Sequence, residues 1–549
     1  MIDRSLGTLP SLPRLTVAQW CAGLGFDLPL HVQDRPVTGI ALDSREVTAG
    51  DCFLVYPLHD GRGQQHGGQY ISAALANGAG LVLVDSDIAA DELQIPAQRA
   101  GVVLPVTGLR HAIGELCARF FGHPSRRLPV IAITGTNGKT SCAHFLAQAP
   151  ALVSAPTPSG QQRGGMIGTL GWGLLDALHD SRHTTPDALQ LQWRLAKLCQ
   201  LEPQLVAMEA SSHALAQRRT SACRFSVAAI TNLSQDHLDY HLNMQAYAAA
   251  KLKLFTEHEV EHMLVSVDDP YCRNMHQQLL QLGHGERVLT TSTVPQHRAD
   301  ICVQAVASGN LAANRQQTRH GMRIQVQSPW GSGEIQTGLL GHFNLHNLAT
   351  VIGALGQLGW SWTDITDVLQ GLQPVPGRMQ LLPGLQQPLI IVDYAHTPDA
   401  LETVLGSARE FCRGRLFCVF GCGGDRDRGK RARMGEIAGR LADSIVITSD
   451  NPRHEAPEQI ISEIRSGVAS QVMVQCQPDR RLAITMALQQ ASCEDVVIIA
   501  GKGHERHQQI GHQRLVFDDA AIAAEIAASL LSEHEHQRDA QHTPSGVPA

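Results

Sequence analysis

Val130-Ile131-Ala132-Ile133-Thr134-Gly135-Thr136-Asn137-Gly138-Lys139-Thr140-Ser141 joins an unbroken apolar run to SCAHFLAQ, a stretch with helical composition. Strand, glycine-bearing loop and helix in that order form the context a phosphate loop requires. The glycines let backbone amides turn toward phosphate oxygens, and the helix N-terminus adds positive potential. Lys139 supplies a mobile cation, and Thr140 stands where its hydroxyl reaches a magnesium ion. The competing reading is an ordinary glycine turn before a helix, since the spacing is shorter than the common eight-residue phosphate loop.

Outward from this stretch, LPVIAITG (128–135) has two counterparts, QLVAMEA (204–210) and FSVAAITN (225–232). Each is short, apolar and closed by polar or glycine residues, as expected of strands buried on both faces of a parallel sheet. Segments between them, such as AYAAAKLKLF (246–255), supply helical crossovers. Glu209 follows the second run, and His237, in TNLSQDHLDYH, follows the third. Open α/β sheets build ligand sites at these carboxyl ends, and a magnesium-bound triphosphate needs such ligands. Taken singly, Glu209 reads as a surface carboxylate and His237 as a core histidine.

Upstream, DCFLVY, AGLVLVD and GVVLPVT alternate with the helix-like YISAALANGA, giving a small α/β unit. Downstream, Gln373-Pro374-Val375-Pro376-Gly377-Arg378 is a candidate hinge. A third alternating unit follows, with strands PLIIVDYA (388–395), RLFCVFGC (415–422), DSIVITSD (443–450) and DVVIIAGKG (495–503). The chain is therefore expected to be α/β with three domains: 1–107, a central phosphate-loop ATPase domain with a parallel sheet at 108–375, and a Rossmann-like domain at 376–530. The polar stretch 531–549 is expected to be disordered.

Composition narrows the function. A chain of 549 residues, 43% hydrophobic and 17% charged, with no apolar run near the roughly 20 residues that span a bilayer, predicts no membrane insertion. MIDRSLGTLPSLPRL does not read as a signal peptide, so a cytoplasmic location is expected. A net charge of −7 without a basic block opposes nucleic acid as a partner. The 13 cysteines lack paired CxxC spacing, which favours reduced thiols over disulfides or a thiolate zinc site.

The motifs GTNGKT, EASSHAL, TNLSQDHLDYH, PGRM, DYAHTPDAL, FGCGGDRDRGKR, DNPRHE and GKGHE occur in the order found in Mur ligases. Over most of its length the chain resembles that family, and within it the diaminopimelate-adding members. The resemblance implies a monomeric enzyme of peptidoglycan precursor synthesis that uses ATP and Mg2+. It would phosphorylate the D-glutamate side-chain carboxylate of UDP-N-acetylmuramoyl-L-alanyl-D-glutamate and join meso-diaminopimelate to the acyl phosphate. It assigns catalysis to Lys139, Glu209, His237 and Lys251. Thr140, Glu209, His237 and Lys251 would ligate metal, the lysine as a carbamate, because an unmodified ammonium repels a cation. ATP is expected on Gly135, Thr136, Asn137, Gly138, Lys139, Thr140 and Ser141, with Asn347, Arg378 and Asp393, between the central and C-terminal domains. The nucleotide-sugar peptide is assigned to Leu42, Ser44, His59, Thr184, Thr185, Ser211, Gln217 and Arg219.

Diaminopimelate differs from lysine by a second carboxylate, which a guanidinium binds through two parallel hydrogen bonds. The resemblance places Asp450, Asn451, Pro452 and Arg453 there, with Arg426, Gly501 and Glu505. Alternatives stay open at several positions: Ser211 also reads as a helix N-cap, Lys251 as a solvated helix lysine, Asp393 as a strand-end carboxylate, and Arg378 and Arg453 as surface cations. A lysine-adding or other Mur-type amide ligase, and a non-catalytic ATP-binding paralogue, are the rival functions. Departures from the family pattern are His183 where asparagine is frequent, Gln380 where glutamate is usual, Ser141 for a second threonine, a long loop after His59, and the Pro/Ser/Gly-rich stretch within 149–183.

Overall fold

Val130–Thr134 is buried along its whole length and runs parallel to both neighbours, Leu205–Glu209 and Arg224–Ile230. The computed structural model describes residues 14–59, 64–93, 95–96, 101–153, 162–306, 321–382, 388–410 and 412–541. These fall into two compact units, the first drawn from 1–304, 325–335 and 345–371, the second from 305–324, 336–344 and 372–549. The architecture is α/β with parallel sheets, as the alternation of apolar runs and helical segments predicts.

Two sheets organise the first unit. The smaller has four parallel strands in the order Ile40–Ala41, Cys52–Val55, Leu81–Asp85 and Val103–Val106. The larger sheet has eleven strands, and Val130–Thr134 lies in its interior. From Gly164–Gly168 to Ile301–Ala305 its pairings are parallel. One apolar core joins the two sheets, running from Trp20 and Leu83 through Leu116 to Val130 and Phe225. Within it the Trp20 indole donates to the Leu116 carbonyl at 2.7 Å, which satisfies the one polar atom of a fully buried ring.

The stretch 149–183 has no legible geometry in the sequence. Pro150 falls in the last turn of the helix Lys139–Leu152, and residues 154–161 lie outside the described residues. Gly164–Gly168, Gly171–Leu174 and Ala177–His179 then form an antiparallel edge on the large sheet.

The second unit carries a six-stranded sheet in the order Gln380–Leu381, Leu389–Asp393, Val496–Ala500, Leu416–Phe420, Ser444–Thr448 and Val474–Gln477. Only the first pairing is antiparallel. Alternate residues of each strand enter different cores: Ile391, Cys418, Ile445 and Ile498 pack on one face, and Ile390, Phe417, Val446 and Val497 on the other. Both faces are covered by helices, which is why these strands read as unbroken apolar runs. The Pro-Gly stretch falls at the start of this unit's last segment, 372–549. There Gly377 has a φ of +68°, and a Cβ would meet the His504 backbone nitrogen at 2.1 Å, so only glycine permits the approach. The last helix, Asp519–Gln541, includes residues 531–541, and 542–549 lie outside the described residues. Among the described residues no helix is long and apolar enough to cross a membrane. All the cysteines are free thiols, most of them buried.

Candidate functional site

Strand Val130–Thr134 ends at a loop whose Gly135 and Gly138 have φ of +143° and +85°, and the helix Lys139–Leu152 begins directly after it. Lys139 folds back over the loop, its Nζ donating to the carbonyls of Gly135 at 2.9 Å and Thr136 at 2.8 Å. The loop is braced from the neighbouring strand end. Asn137 N donates to Asn232 Oδ1 at 2.9 Å, and Thr136 Oγ1 to the Ser234 carbonyl at 3.1 Å. Asn347 stands against the loop, since a Cβ on Gly138 would lie 2.4 Å from its Oδ1.

Glu209 closes the next strand and is fully buried. Its carboxylate accepts from Thr140 Oγ1 at 2.9 Å, Thr169 N at 2.7 Å and Thr169 Oγ1 at 3.2 Å. The glycine at 168 makes room for it, because a Cβ there would sit 2.3 Å from Glu209 Oε1. Thr169 is a residue the sequence did not single out; it lies 40 positions from its partner, in a glycine-rich segment without periodicity.

Lys251, on the helix Met244–Thr256, is 1% exposed. Its Nζ donates to the Gly135 carbonyl at 2.7 Å and lies 4.6 Å from the centroid of Tyr247. Burial, reinforced by the charge on Lys139, holds its amine well below the ordinary lysine range. It is not a solvated helix lysine. His237 takes a left-handed φ of 53°, a strained backbone for a non-glycine residue. Its ring packs against His213 at 4.8 Å.

Among the described residues no three His, Cys, Asp or Glu side chains converge on a point that could hold a metal ion. Of the residues assigned to metal, Thr140 and Glu209 are brought into contact, whereas Lys251 is turned to a loop carbonyl and His237 to its aromatic neighbours. Two hard oxygen donors 2.9 Å apart, one of them a carboxylate, fit Mg2+.

A cavity of about 790 Å3 opens in the first unit. Leu42, Gln217 and Arg219 lie in its wall, as does His183; Ser44, Thr184, Thr185 and Ser211 do not. Ser211 caps the helix Ser212–Ala216, accepting from Ala214 N, and Thr185 Oγ1 donates to the Glu209 carbonyl at 2.7 Å. Arg219 donates from Nη1 to the Thr185 carbonyl at 3.0 Å and from Nε to Gln217 Oε1 at 2.8 Å. His59 ends the short strand Leu58–His59. The sequence also missed Trp172, Trp193 and Arg194, which share this wall.

In the second unit Asp393 is buried and accepts from Met379 N at 2.6 Å and Ala395 N at 2.7 Å. Burial raises its pKa, and Arg378 opposes the rise. The Arg378 guanidinium stacks 4.7 Å from the centroid of Tyr394. The residues assigned to diaminopimelate are brought together. Asn451 Nδ2 donates to Glu505 Oε2 at 2.7 Å, and a Cβ at Gly501 would lie 2.6 Å from Asp450 Oδ2. Arg453, at a left-handed φ of 51°, donates from Nη1 to the Gly424 carbonyl at 2.8 Å. Arg426 is exposed, and its Cγ would lie 3.7 Å from a Cβ on Gly423, with Arg453 Nη1 at 2.9 Å from the same point. Beneath this group sits Lys502, fully buried and unremarked in the sequence beyond its place in GKGHE. Its Nζ donates to Asn451 Oδ1 at 3.1 Å and the His507 carbonyl at 2.5 Å, and it pairs with Glu505 at 3.3 Å.

A phosphate loop and a carboxylate on adjacent strand ends, with a second parallel-sheet unit carrying Arg426 and Arg453 in the loops after its strands, define a phosphate-loop α/β enzyme. Residues 133–355 match the Mur ligase middle domain and residues 377–503 the Mur ligase glutamate ligase domain. The chain belongs to the Mur ligase family. It is 43% identical over 507 residues to the UDP-N-acetylmuramoyl-L-alanyl-D-glutamate--2,6-diaminopimelate ligase of Ectopseudomonas mendocina, covering 92% of this chain and 98% of that protein. The enzyme of the same name from Coxiella burnetii is 42% identical over 89% of this chain and 95% of its own length. A solved structure of a ligase so named superposes with a TM-score of 0.66 at 33% identity, covering 94% of this chain and 99% of that one. The MurF ligase of Thermotoga maritima, solved in complex with ADP, shares the fold at a TM-score of 0.52 and 15% identity, over 91% of this chain and 98% of its own.

Proposed function

We propose that this chain is the ATP-dependent ligase that joins meso-diaminopimelate to UDP-N-acetylmuramoyl-L-alanyl-D-glutamate in peptidoglycan precursor synthesis. The observation that carries the reading is the chain-long identity of 43% to a ligase of that name, combined with the convergence of Asp450, Asn451, Arg453, Gly501 and Glu505. Diaminopimelate presents a far carboxylate to the half-buried Arg453 and a far ammonium to Glu505, a pairing that lysine meets only in part.

A carboxylate oxygen of the D-glutamate side chain attacks the γ-phosphorus of ATP, and the bond to ADP breaks. The resulting acyl phosphate is an electrophile where the carboxylate was not. The amine, having given up a proton, attacks the acyl carbon, and inorganic phosphate leaves as the amide forms. The balance is carboxylate, ATP and ammonium in; amide, ADP, phosphate and one proton out. Lys139 releases the loop carbonyls and turns to the phosphates, and the loop amides hold them in line. Asn347, set against the loop, contacts the nucleotide. Thr140 and Glu209 would hold Mg2+, which spreads the charge developing on the transferred phosphoryl group. His237 borders the same strand ends. Lys251, whose buried amine is held well below the ordinary lysine range, is the nucleophile that carbon dioxide would convert to a carbamate, the anionic form able to join the metal site.

The test is phosphate release and product mass with ATP, Mg2+ and the UDP-linked dipeptide, offering diaminopimelate or lysine separately. Diaminopimelate is expected to be added and lysine to be poor. Arg453→Ala is expected to cut the preference by roughly tenfold to a hundredfold, the worth of one charge-assisted pair. Unchanged selectivity would remove Arg453 from the pocket, and no product with either amine would overturn the reading.

A further inference from the structure

Arginines 182, 194, 218 and 219 line the cavity of the first unit. Arg218 pairs with Glu257 at 3.3 Å. Arg194 is different. It is 8% exposed, and its Nη1 donates to Ser181 Oγ at 3.0 Å. Its guanidinium lies 5.3 Å from the centroid of Trp172, while its buried Nε has no hydrogen-bond partner. Among the described residues no carboxylate forms an ion pair with it. Asp187 is the acid whose charge it feels, and that carboxylate caps the helix Ala188–Leu201 through Gln190 N at 2.9 Å. Burial pushes the Arg194 pKa down to about 10, so the group is still a cation at neutral pH. A buried cation without a counter-charge costs several kcal/mol.

We infer that Arg194 binds an oxyanion of the nucleotide-linked peptide, a carboxylate or a phosphate, as a second guanidinium beside Arg219. Three features carry the inference. The Trp172 ring, itself set edge-on against Trp193 at 5.1 Å, gives the guanidinium a fixed plane. With Nη1 engaged by Ser181, the unpartnered Nε is left on the edge that accepts an anion through two parallel bonds. Ser181 Oγ in turn donates to the His183 carbonyl at 2.7 Å, and Thr184 Oγ1 reaches Thr169 Oγ1 at 3.1 Å, beside Glu209. An anion on Arg194 is therefore tied to the segment that leads to the reaction centre.

The inference rests on the proposed ligase activity, and wild-type turnover tests that activity separately. With ATP and diaminopimelate saturating, Arg194→Gln in the full chain is expected to raise KM for the UDP-linked dipeptide about tenfold, with kcat falling less than twofold and KM for ATP unchanged. Arg194→Lys, which keeps charge and stem but not the fork, is expected to recover part of the loss; it also carries the test if Arg194→Gln loses its folding transition. Two substrate analogues identify the anion: the dipeptide with its α-carboxylate amidated, and the muramoyl dipeptide 1-phosphate lacking the uridylyl group. The penalty of the substitution is expected to vanish for one of them. An unchanged KM in Arg194→Gln, or an equal penalty on every analogue, would overturn the inference and leave Arg194 as packing for Trp172.

Discussion

Lys251 and Lys502 are both buried to within 1% of completely, and their surroundings are opposite. Around Lys251 stand one carbonyl, one aromatic ring and a second lysine; the charge of Asp236 acts on it, but no carboxylate forms an ion pair with it among the described residues. Around Lys502 stand the Glu505 carboxylate, the Asn451 amide oxygen and the His507 carbonyl. Burial alone thus does not decide what a lysine is for. The second site holds a cation that organises its neighbours. The first sets an amine, held below the ordinary lysine range, against the carbonyl of a phosphate loop, where the proposed carbamate would form.

Replacing each lysine by methionine is the strongest way to break this contrast. Lys502→Met leaves the half-buried Glu505 without its counter-charge, and breaking a buried pair costs up to about 3–5 kcal/mol. Urea unfolding is expected to show that loss. Lys251→Met conserves volume and removes no carboxylate's partner, so its cost is expected below about 1.5 kcal/mol. Its kcat is expected to fall roughly a thousandfold, about 4 kcal/mol of barrier. Wild-type activity should also drop in buffer freed of carbon dioxide and return with bicarbonate, whereas Lys251→Met responds to neither. A Lys251→Met enzyme that turns over normally would refute the assigned role.

The carboxylates sharpen the same difference. Glu209→Gln keeps an acceptor for Thr169 N, and the Thr140 and Thr169 hydroxyls turn to accept from the new amide, so a stability loss of about 1 kcal/mol is expected. Activity is expected to fall about a hundredfold or more, because the anionic oxygen that fits Mg2+ is gone. Glu505→Gln removes the counter-charge of Lys502, for which Glu505 is the sole carboxylate within 4 Å among the described residues. Burial works to raise the Glu505 pKa, and Lys502 with Asn451 outweighs it, holding the acid below its ordinary range. This substitution is expected to lower stability by about 2–3 kcal/mol as well as impair diaminopimelate addition. Equal stability losses in the two glutamine variants would dissolve the distinction.

Much of this was legible because the relevant signal is local. Strands such as Val130–Thr134 and Ser444–Thr448 are buried on both faces, so their apolar runs stand out, and the polar residues that end them fall in loops. The family motifs carried the assignment of Arg453 and Glu505. What stayed hidden depends on distant packing. Gly164–Gly168 is a strand made largely of glycine, with no alternation to reveal it. Thr169 matters only because the sheet places it on Glu209. On the helix Ala188–Leu201 even Gln192, Arg194 and Lys197 are buried, and nothing local in the sequence marks these polar residues as inward-facing. Lys251 and Lys502 share one sequence character, a basic residue next to small ones, and only tertiary contacts separate them.

The smallest expected effect compares two histidines, one in each unit. Burial pushes both His144 and His504 down from 6.5 to about 4. Between these values the unfolded chain binds the proton and the folded chain does not, so stability rises with pH across about 4 to 6.5 and is lost as pH falls through that window. His144→Gln and His504→Gln are each expected to flatten the slope across that window. The causes differ in kind. At His144 burial is the whole cause, whereas at His504 the positive charge of Arg378 adds to it and outweighs the opposing charge of Glu505. Salt screens the charge and leaves burial untouched. Titration of the two ring signals by NMR in low and high salt is therefore expected to move His504 upward and to leave His144 in place. Equal shifts would mean that Arg378 does not act on His504, and the cation assigned to the nucleotide would then have to lie elsewhere in solution.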